Sequence, residues 1–383
     1  MIDTSHIELS RSALEHNIAF LRSRVGPDVR ISSVVKGNAY GHGIEEFVPL
    51  VCEAGIDHFS VFSAKEALRV RSACNGSHEL MIMGEVSGDS LEWAIKENVE
   101  FFVFDMVRLK EALEWSVKLK KPAKVHIELE TGMHRTGFED KDLPKVIEML
   151  QNNPENFVFK GLCTHYAGAE SIANYLRIQQ QNKNFKKCVK RFSSQGLKPE
   201  MLHTSCSAGV MMFPKYHYDM VRIGIMQYGF WPSPETFVEY AKHKKDKTDP
   251  LKRVISWKSK VMTVKEVDTG EFIGYGQSFL AHQNMRTAVV PVGYGHGYSR
   301  DLSNQGRILV KGNRVAVIGL VNMNMLVADI SELPDVEVGD EVVLIGVQGD
   351  MELTVSSFSE LSNQVNYELL TRLPRSIPRK ITG

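Results

Sequence analysis

The chain has 383 residues, more than a single hydrophobic core usually supports, so two domains are expected. Its 46 Lys and Arg balance 46 Asp and Glu, and apart from the short basic run at 242–247 no block of charge gives reason to expect a nucleic-acid or membrane partner. What remains is a small-molecule partner or none.

Five cysteines, Cys52, Cys74, Cys163, Cys188 and Cys206, are too few and too scattered for a disulfide framework, and no CxxC spacing suggests a metal. Reduced thiols and a cytoplasmic setting are expected. The first residues lack a basic segment followed by an apolar run, and no stretch of eighteen apolar residues occurs, so neither export nor membrane insertion is expected.

Leu14, Ile18 and Leu21, at helical spacing behind a capping Ser12, predict an amphipathic first helix. Short runs rich in β-branched and aromatic residues then predict strands at 30–36, 58–62, 79–84, 100–105, 124–130, 158–163, 200–204 and 219–223. Helical stretches at 65–74, 90–98 and 172–192 supply crossovers of the length that parallel strands require. Eight such units predict an α/β (β/α)8 TIM barrel. A turn-rich, charged stretch from Trp231 to Pro250 marks the boundary, giving a barrel domain over 8–245 and a second domain over 250–383, with residues 1–7 a candidate to pack with the latter. Strands at 254–267, 286–292, 307–310, 315–320, 325–330 and 341–346, and a helix near 356–364, predict a mostly antiparallel β domain.

The segment VVKGNAYGHG (34–43) puts Lys36 where an apolar strand gives way to a glycine-rich turn. In a TIM barrel that is the catalytic rim. A lysine desolvated there has a lowered pKa and becomes a nucleophile toward an aldehyde cofactor. Taken without context, a strand-end lysine is more often a snorkelling surface residue.

The segment resembles the pyridoxal-phosphate attachment motif of the alanine racemase family, V-K-A-[ND]-A-Y-G-H-G, and the likeness runs in matching order from Ile7 to Arg379. The resemblance implies that Lys36 forms the internal aldimine with pyridoxal 5'-phosphate and that Tyr40 helps hold the phosphate. ELETGMHRTG (128–137) is similar to the family's D-T-G-M-x-R-x-G segment, which implies that Arg135 binds the cofactor's phenolic oxygen and a substrate carboxylate. Glu128 stands where many members carry a carbamylated lysine, and is expected to orient Arg135 as an unmodified carboxylate. THYA (164–167) places His165 over the cofactor ring by resemblance, linking Tyr275 to Arg222; taken alone it reads as a structural histidine. HTSCSA (203–208) resembles H-x-A-N-S-A, making Ser207 a phosphate ligand and Cys206 a departure. RIGIMQYG (222–229) is similar to R-x-G-[IL]-x-x-Y-G: Arg222 then meets the pyridine nitrogen, and Gly224 and Ile225 offer backbone N–H groups to the phosphate. An arginine there keeps the ring a weaker electron sink than an acidic partner would.

In the second domain, IGYGQSF (273–279) resembles the loop that carries the family's second base, Tyr275. An unperturbed tyrosine has a pKa of ~10, so its phenolate needs stabilisation to accept a proton near neutrality. By the same resemblance Tyr294 narrows the entrance, Met323 offers a backbone N–H to the substrate carboxylate, and Tyr367 binds phosphate. Leu320 and Asn324 replace an arginine and an aspartate common near the entrance.

Together these imply a two-base racemase in which Lys36 and Tyr275 exchange protons with opposite faces of Cα. A small amino acid, alanine first, is the expected substrate. The resemblance further implies a head-to-tail homodimer with composite sites. Two alternatives stay open: a racemase of another amino acid (serine, lysine or a broad set), and a non-catalytic binder of the same cofactor.

Overall fold

The computed structural model describes residues 3–74, 78–242, 244–355 and 366–383, with backbone alone at 366 and 367. The chain forms two compact units. One comprises Ala13–Lys36 and Val48–Lys252; the other comprises Met1–Ser12, Gly37–Phe47 and Arg253–Gly383.

After β1 (Ser5–Ser10), which belongs to the second unit, come β2 (Arg30–Val34), β3 (His58–Val61), β4 (Glu79–Ile82), β5 (Glu100–Val103), β6 (Ala123–Glu128), β7 (Phe157–Cys163), β8 (Met201–Cys206) and β9 (Met220–Ile223). These eight pair in parallel around a closed ring, with β9 returning to β2, as a TIM barrel requires. β3, β5 and β9 are buried at every position. Both faces of a parallel barrel strand are covered, which is why these strands read as near-continuous apolar runs. Helices fill the crossovers where capping residues start them: Ser63 accepts from the Glu66 N–H at Ala64–Ala73, and Asp105 from the Arg108 N–H at Met106–Leu119. The helix expected at 172–192 is a 3₁₀ turn, Ile172–Asn174, followed by a helix at Tyr175–Ser194.

The barrel interior is mixed. Met81, Phe102, Cys163, Met201 and Met220 form an apolar cluster. Beside it His58, Glu100, His126, His203 and Arg222 are buried and joined by hydrogen bonds between strands that are not neighbours, β3 to β5 and β6 to β8. Side chains that reach past an intervening strand share the lumen face.

The expectation of five reduced thiols is corrected: Cys52 and Cys74 are joined in a disulfide, with Cα atoms 7.1 Å apart, while Cys163, Cys188 and Cys206 are free. The two sit at the ends of successive helices, a proximity that sequence spacing does not express.

The second unit carries β10 (Ile255–Lys260), β11 (Thr263–Val267), β12 (Met285–Val290), β13 (Arg307–Val310), β14 (Asn313–Ile318), β15 (Leu326–Asp329), β16 (Glu341–Gln348), β17 (Met351–Leu353) and β18 (Arg379–Thr382). Their order is β11-β12-β15-β14-β13-β16-β10-β1-β18, with β17 on β16, and every pairing except β1 with β18 is antiparallel. The single strand expected at 254–267 is two, β10 and β11, separated at Val261 and Met262. β1 alternates buried Ile7 and Leu9 with half-buried neighbours and pairs with β10, Ile7 opposite Trp257. The helix expected near 356–364 lies outside the described residues. Among those residues no helix is long and apolar enough to cross a membrane.

The second unit also contains a backbone feature of the turn after Lys36. Gly37, Asn38, Ala39 and Tyr40 all take left-handed φ, 62°, 57°, 53° and 52°. Only glycine adopts this region freely; for other residues it costs roughly 1–2 kcal/mol each. The turn is held by N–H groups of Gly41, His42 and Gly43 donating to Gly37, Ala39 and Asn38 carbonyls, and by Arg379, whose Nη2 donates to the Gly41 carbonyl at 2.8 Å.

Candidate active site

Lys36 stands at the C-terminal end of β2, and the strand's last carbonyl and its neighbours are pinned. The Val34 carbonyl accepts from Tyr228 Oη (2.9 Å) and Gln227 Nε2 (3.1 Å), Ser33 Oγ donates to Gln227 Oε1 (2.7 Å), and the Val35 N–H donates to the Ser60 carbonyl. Gln227 and Tyr228 lie just after Gly224 and Ile225, so the lysine and the RIGIMQYG segment are fixed to one another. The amine is accessible at the barrel mouth yet closely walled. Burial, then the positive charges of Arg135 and Arg222, lower its pKa, with Glu66 opposing.

Arg222 on β9 is buried and its two Nη groups are spent on acceptors: the carbonyls of Thr164 (2.9 Å), His203 (3.2 Å) and Thr204 (3.3 Å), and the ring nitrogens Nδ1 of His203 and of His165 (3.3 Å). Arginine only donates, so both Nδ1 atoms must be acceptors, which leaves the proton of each neutral ring on Nε2. His165 is neutral at physiological pH, since burial and the charges of Arg222, Arg135 and Lys36 push its pKa down to about 3. Its Nε2–H is therefore a donor directed away from Arg222.

The same logic runs down the barrel. His203 Nε2–H donates to His126 Nδ1 (2.8 Å), and His126 Nε2–H to Glu100 Oε2 (2.9 Å), which also accepts from His58 Nε2 (3.3 Å). Burial would raise the Glu100 carboxyl, but the hydrogen bonds from His126 and His58 outweigh it and hold it far below the usual carboxylate range. A carboxylate at one end and a guanidinium at the other give the chain one direction. Lys160, 3.4 Å from Glu100 Oε1, closes its lower end together with Glu79 and Glu200. Sequence reading missed His58, Glu100, His126 and the role of His203; the only signal was polar residues recurring on one face of strands that should be apolar.

Arg135 is exposed on the loop after β6. Glu128, at the end of β6, is buried and its pKa is raised: burial dominates, opposed by a hydrogen bond with Thr136 and the attraction of Arg222 and Arg135. Among the described residues it makes no direct ion pair with Arg135, so it acts on that arginine through space. Ser207 opens the short helix Ser207–Met212, and its Oγ accepts from the Gly224 N–H at 3.0 Å; Ile225 opens the next 3₁₀ turn. The structure thus gathers Lys36, Arg135, His165, Ser207, Arg222, Gly224 and Ile225 at the C-terminal ends of the barrel strands.

The remaining expected residues lie in the second unit. Tyr275 is 70 % exposed at the tip of a loop closed by the Phe272–Leu280 bridge, between Gly274 and Gly276 with left-handed φ of 80° and 67°. Tyr294 (40 % exposed) and Met323 (56 %) share one backbone cluster: the Tyr294 N–H donates to the Asn322 carbonyl at 3.0 Å and the Gly295 N–H to the Met323 carbonyl at 2.8 Å. A Cβ on Gly319 would meet the Ile273 carbonyl oxygen at 2.7 Å, so the loops of Tyr275 and Met323 are neighbours too. Tyr40 ends the left-handed turn. Tyr367 lies in the helix Asn366–Arg372, but its side chain is outside the described residues.

An amine of lowered pKa, a fixed guanidinium donor and a hydroxyl beside backbone N–H groups form a donor set that fits pyridoxal phosphate: one group each for aldehyde, ring nitrogen and phosphate.

Two family profiles match the chain: the alanine racemase N-terminal domain over residues 9–232 and its C-terminal domain over 254–381. An alanine racemase of Leptospira interrogans is 34% identical over 376 residues, covering 98% of this chain and 95% of the relative. Among solved structures, alanine racemase from Bacillus anthracis with bound L-Ala-P superposes with a TM-score of 0.90 at 29% identity, covering 100% of this chain and 96% of that one. That from Bartonella henselae with covalently bound pyridoxal phosphate gives 0.85 at 25% identity, with both chains fully covered.

Proposed function

Because the chain belongs to the alanine racemase family, whose members are pyridoxal-phosphate-dependent racemases, we propose that it interconverts L-alanine and D-alanine, with Lys36 and Tyr275 as the two proton-transferring groups. The observation that carries the reading is the lysine itself: a strand-end amine whose pKa is lowered by burial and by two arginines, beside a guanidinium that cannot give up its proton.

Lys36 would hold the cofactor covalently. Arg222 would meet its ring nitrogen, Ser207, Gly224, Ile225, Tyr40 and Tyr367 its phosphate, and Arg135 its phenolic oxygen. When bound, pyridoxal phosphate supplies an electrophilic aldehyde and an aromatic ring that draws electron density from the substrate Cα. The protein's own groups then do the following. The Lys36 amine, whose pKa burial and the charges of Arg135 and Arg222 lower, accepts or returns a proton on one face of Cα. Arg222, with its other N–H groups bound to fixed acceptors, donates a hydrogen bond without transferring a proton, which limits how strongly the ring withdraws electrons. Arg135 attracts the substrate carboxylate, assisted by the Met323 N–H. Tyr275 serves the opposite face, where the Nε2–H that Arg222 forces onto His165 is the donor offered to its oxygen.

Tyr275, Tyr294 and Met323 are large side chains left exposed, which supports their reaching the barrel mouth of a second copy in a head-to-tail homodimer with composite sites. The small amino acid is the partner. Leu320 and Asn324 favour one second reading, a racemase whose best substrate is serine, lysine or a broad set, because the entrance has lost an opposite pair of charges.

The test is purification with pyridoxal phosphate, the cofactor's absorption spectrum, and chiral chromatography of L-alanine and a panel of L-amino acids, with Lys36→Ala and Tyr275→Phe alongside. Alanine interconverted fastest by wild type alone supports the proposal. Faster turnover of another amino acid selects the second reading, and cofactor binding without racemisation refutes both.

A further inference from the structure

The helix Tyr175–Ser194 buries Ile178, Phe185, Cys188 and Phe192 at helical spacing, and on the same face buries two amides, Gln181 and Asn182. A buried amide is costly unless each polar atom finds a partner. Asn182 finds two hydroxyls, Tyr166 and Tyr218, which belong to the barrel packing. Gln181, 1 % exposed, binds two different loops of the candidate site.

Its Oε1 accepts from the Ala167 N–H at 2.9 Å, and its Nε2 donates to the His165 carbonyl at 3.1 Å and to Thr131 Oγ1 at 3.3 Å. The orientation of the amide is determined, because an N–H can only donate and a carbonyl can only accept. Beyond Thr131 the chain continues in one direction: Thr131 Oγ1 lies 2.8 Å from Thr164 Oγ1, and Thr164 Oγ1 donates to the Leu129 carbonyl at 2.9 Å. Every hydroxyl proton then has an acceptor. The clamp spans the segment that bears His165 and the loop, 129–135, that ends on Arg135. A Cβ on Gly132, whose φ is +138°, would stand 3.2 Å from Gln181 Cγ, so the loop is pressed against this side chain as well. Neighbours reinforce the loop alone: Asn184 Nδ2 donates to the Thr131 carbonyl, and Glu130 accepts from the N–H groups of Met133 and His134. Gln181 bonds both loops from the helix, alongside the direct Thr164–Thr131 link between them.

We propose that Gln181 is a positioning residue that locks the His165 segment and the Arg135 loop in a common register, so that a disturbance of one is transmitted to the other. The clamp rests on geometry alone; its catalytic consequence rests on the racemase reading of His165 and Arg135.

The test uses the full-length chain and Gln181→Met, an apolar residue of similar length, with and without pyridoxal phosphate. Hydrogen–deuterium exchange read by mass spectrometry should quicken about tenfold in peptides covering both 129–137 and 164–168, with the helix peptides beyond residue 185 unchanged. Gln181→Glu keeps the acceptor for the Ala167 N–H and loses both donors, so it should retain protection at 167 while 129–137 loosens; it serves equally if the methionine variant does not fold. In turnover, displacement of both loops should lower kcat and raise KM together, about tenfold each. Thr131→Val, which removes the loop's end of the clamp, should move kcat and KM in the same two directions. Exchange unchanged in both loops, or loosening confined to the helix, would overturn the clamp and leave Gln181 a packing residue. If wild type racemises nothing, the functional reading fails, and the exchange measurement still decides the clamp.

Discussion

Removing the charge of Glu100 tests whether the polar chain through the barrel has the direction inferred for it. Gln is nearly isosteric, but it brings a donor into a site that needs two acceptors. If its oxygen takes the Oε2 position, His126 and His58 are served, and its NH2 confronts the Lys160 ammonium 3.4 Å away. If it flips, the NH2 meets the two histidines; reversing the tautomers of His126 and His203 to suit would turn His203 Nδ1–H against the Arg222 N–H. Each arrangement leaves a buried donor without an acceptor, about 1–3 kcal/mol, and removes the carboxylate opposite Lys160, where breaking a buried pair costs about 3–5 kcal/mol. Partial relaxation puts the expected loss for Glu100→Gln at roughly 2–4 kcal/mol at pH 7. Guanidinium denaturation would show it as a lower midpoint at unchanged slope. The pH dependence carries a sign. A carboxyl whose folded pKa is depressed contributes stability that is complete above its unfolded value near 4.5 and is lost as pH falls toward the folded one. The gap between wild type and variant should therefore be flat from pH 5 upward and narrow below about 4.5. Equal midpoints at pH 7 would refute the reasoning.

Gly41→Ala should prevent stable folding of the second unit, because φ is +81° and the new Cβ would lie 1.8 Å from the Leu370 carbonyl oxygen; soluble yield and thermal melting check it. His42, fully buried with its pKa lowered by burial to about 3, remains neutral in the folded chain while the unfolded one takes up a proton below the ordinary histidine value of 6.5; stability should fall by about 1.4 kcal/mol per pH unit from this residue between 6.5 and 3, a slope that His42→Gln should remove. Arg222→Lys should weaken pyridoxal-phosphate binding at least tenfold, read by absorbance titration, since one ammonium cannot reproduce a fork bound to three carbonyls and two imidazoles. Thiol titration of the denatured, unreduced chain should count Cys163, Cys188 and Cys206 alone, with Cys52 and Cys74 appearing only after reduction.

The barrel was legible in the sequence because its strands are covered on both faces and each crossover helix announces itself with periodicity and a cap, as at Ser63 and Asp105. The rim residues were legible through motif resemblance, which places a residue in order along the chain but says nothing of what it touches. Hence Arg222 was expected, whereas His203, His126 and Glu100 behind it were not: alternation along a strand cannot tell a lumen histidine from a surface one. The left-handed turn was hidden for another reason. Ala39 and Tyr40 would each avoid that region if local preference decided, and the segments packed against the end of the turn, at Leu370 and Arg379, lie over three hundred residues away. β11 was hidden inside a run that looked like one strand.

The one-way chain from Arg222 to Glu100 has a consequence for divergence. Each link is both a donor to the next residue and an acceptor from the last, so a single substitution leaves a mismatched proton in a site closed to water. Two or three simultaneous changes, an apolar block in place of the polar one, could repack the lumen at little loss, but the intermediates are all unstable. His203, His126 and Glu100 should therefore be inherited as a linkage group: lineages either retain all three or have replaced them together, and a barrel engineered to carry another side chain in place of Arg222 will have to be rebuilt down to its floor.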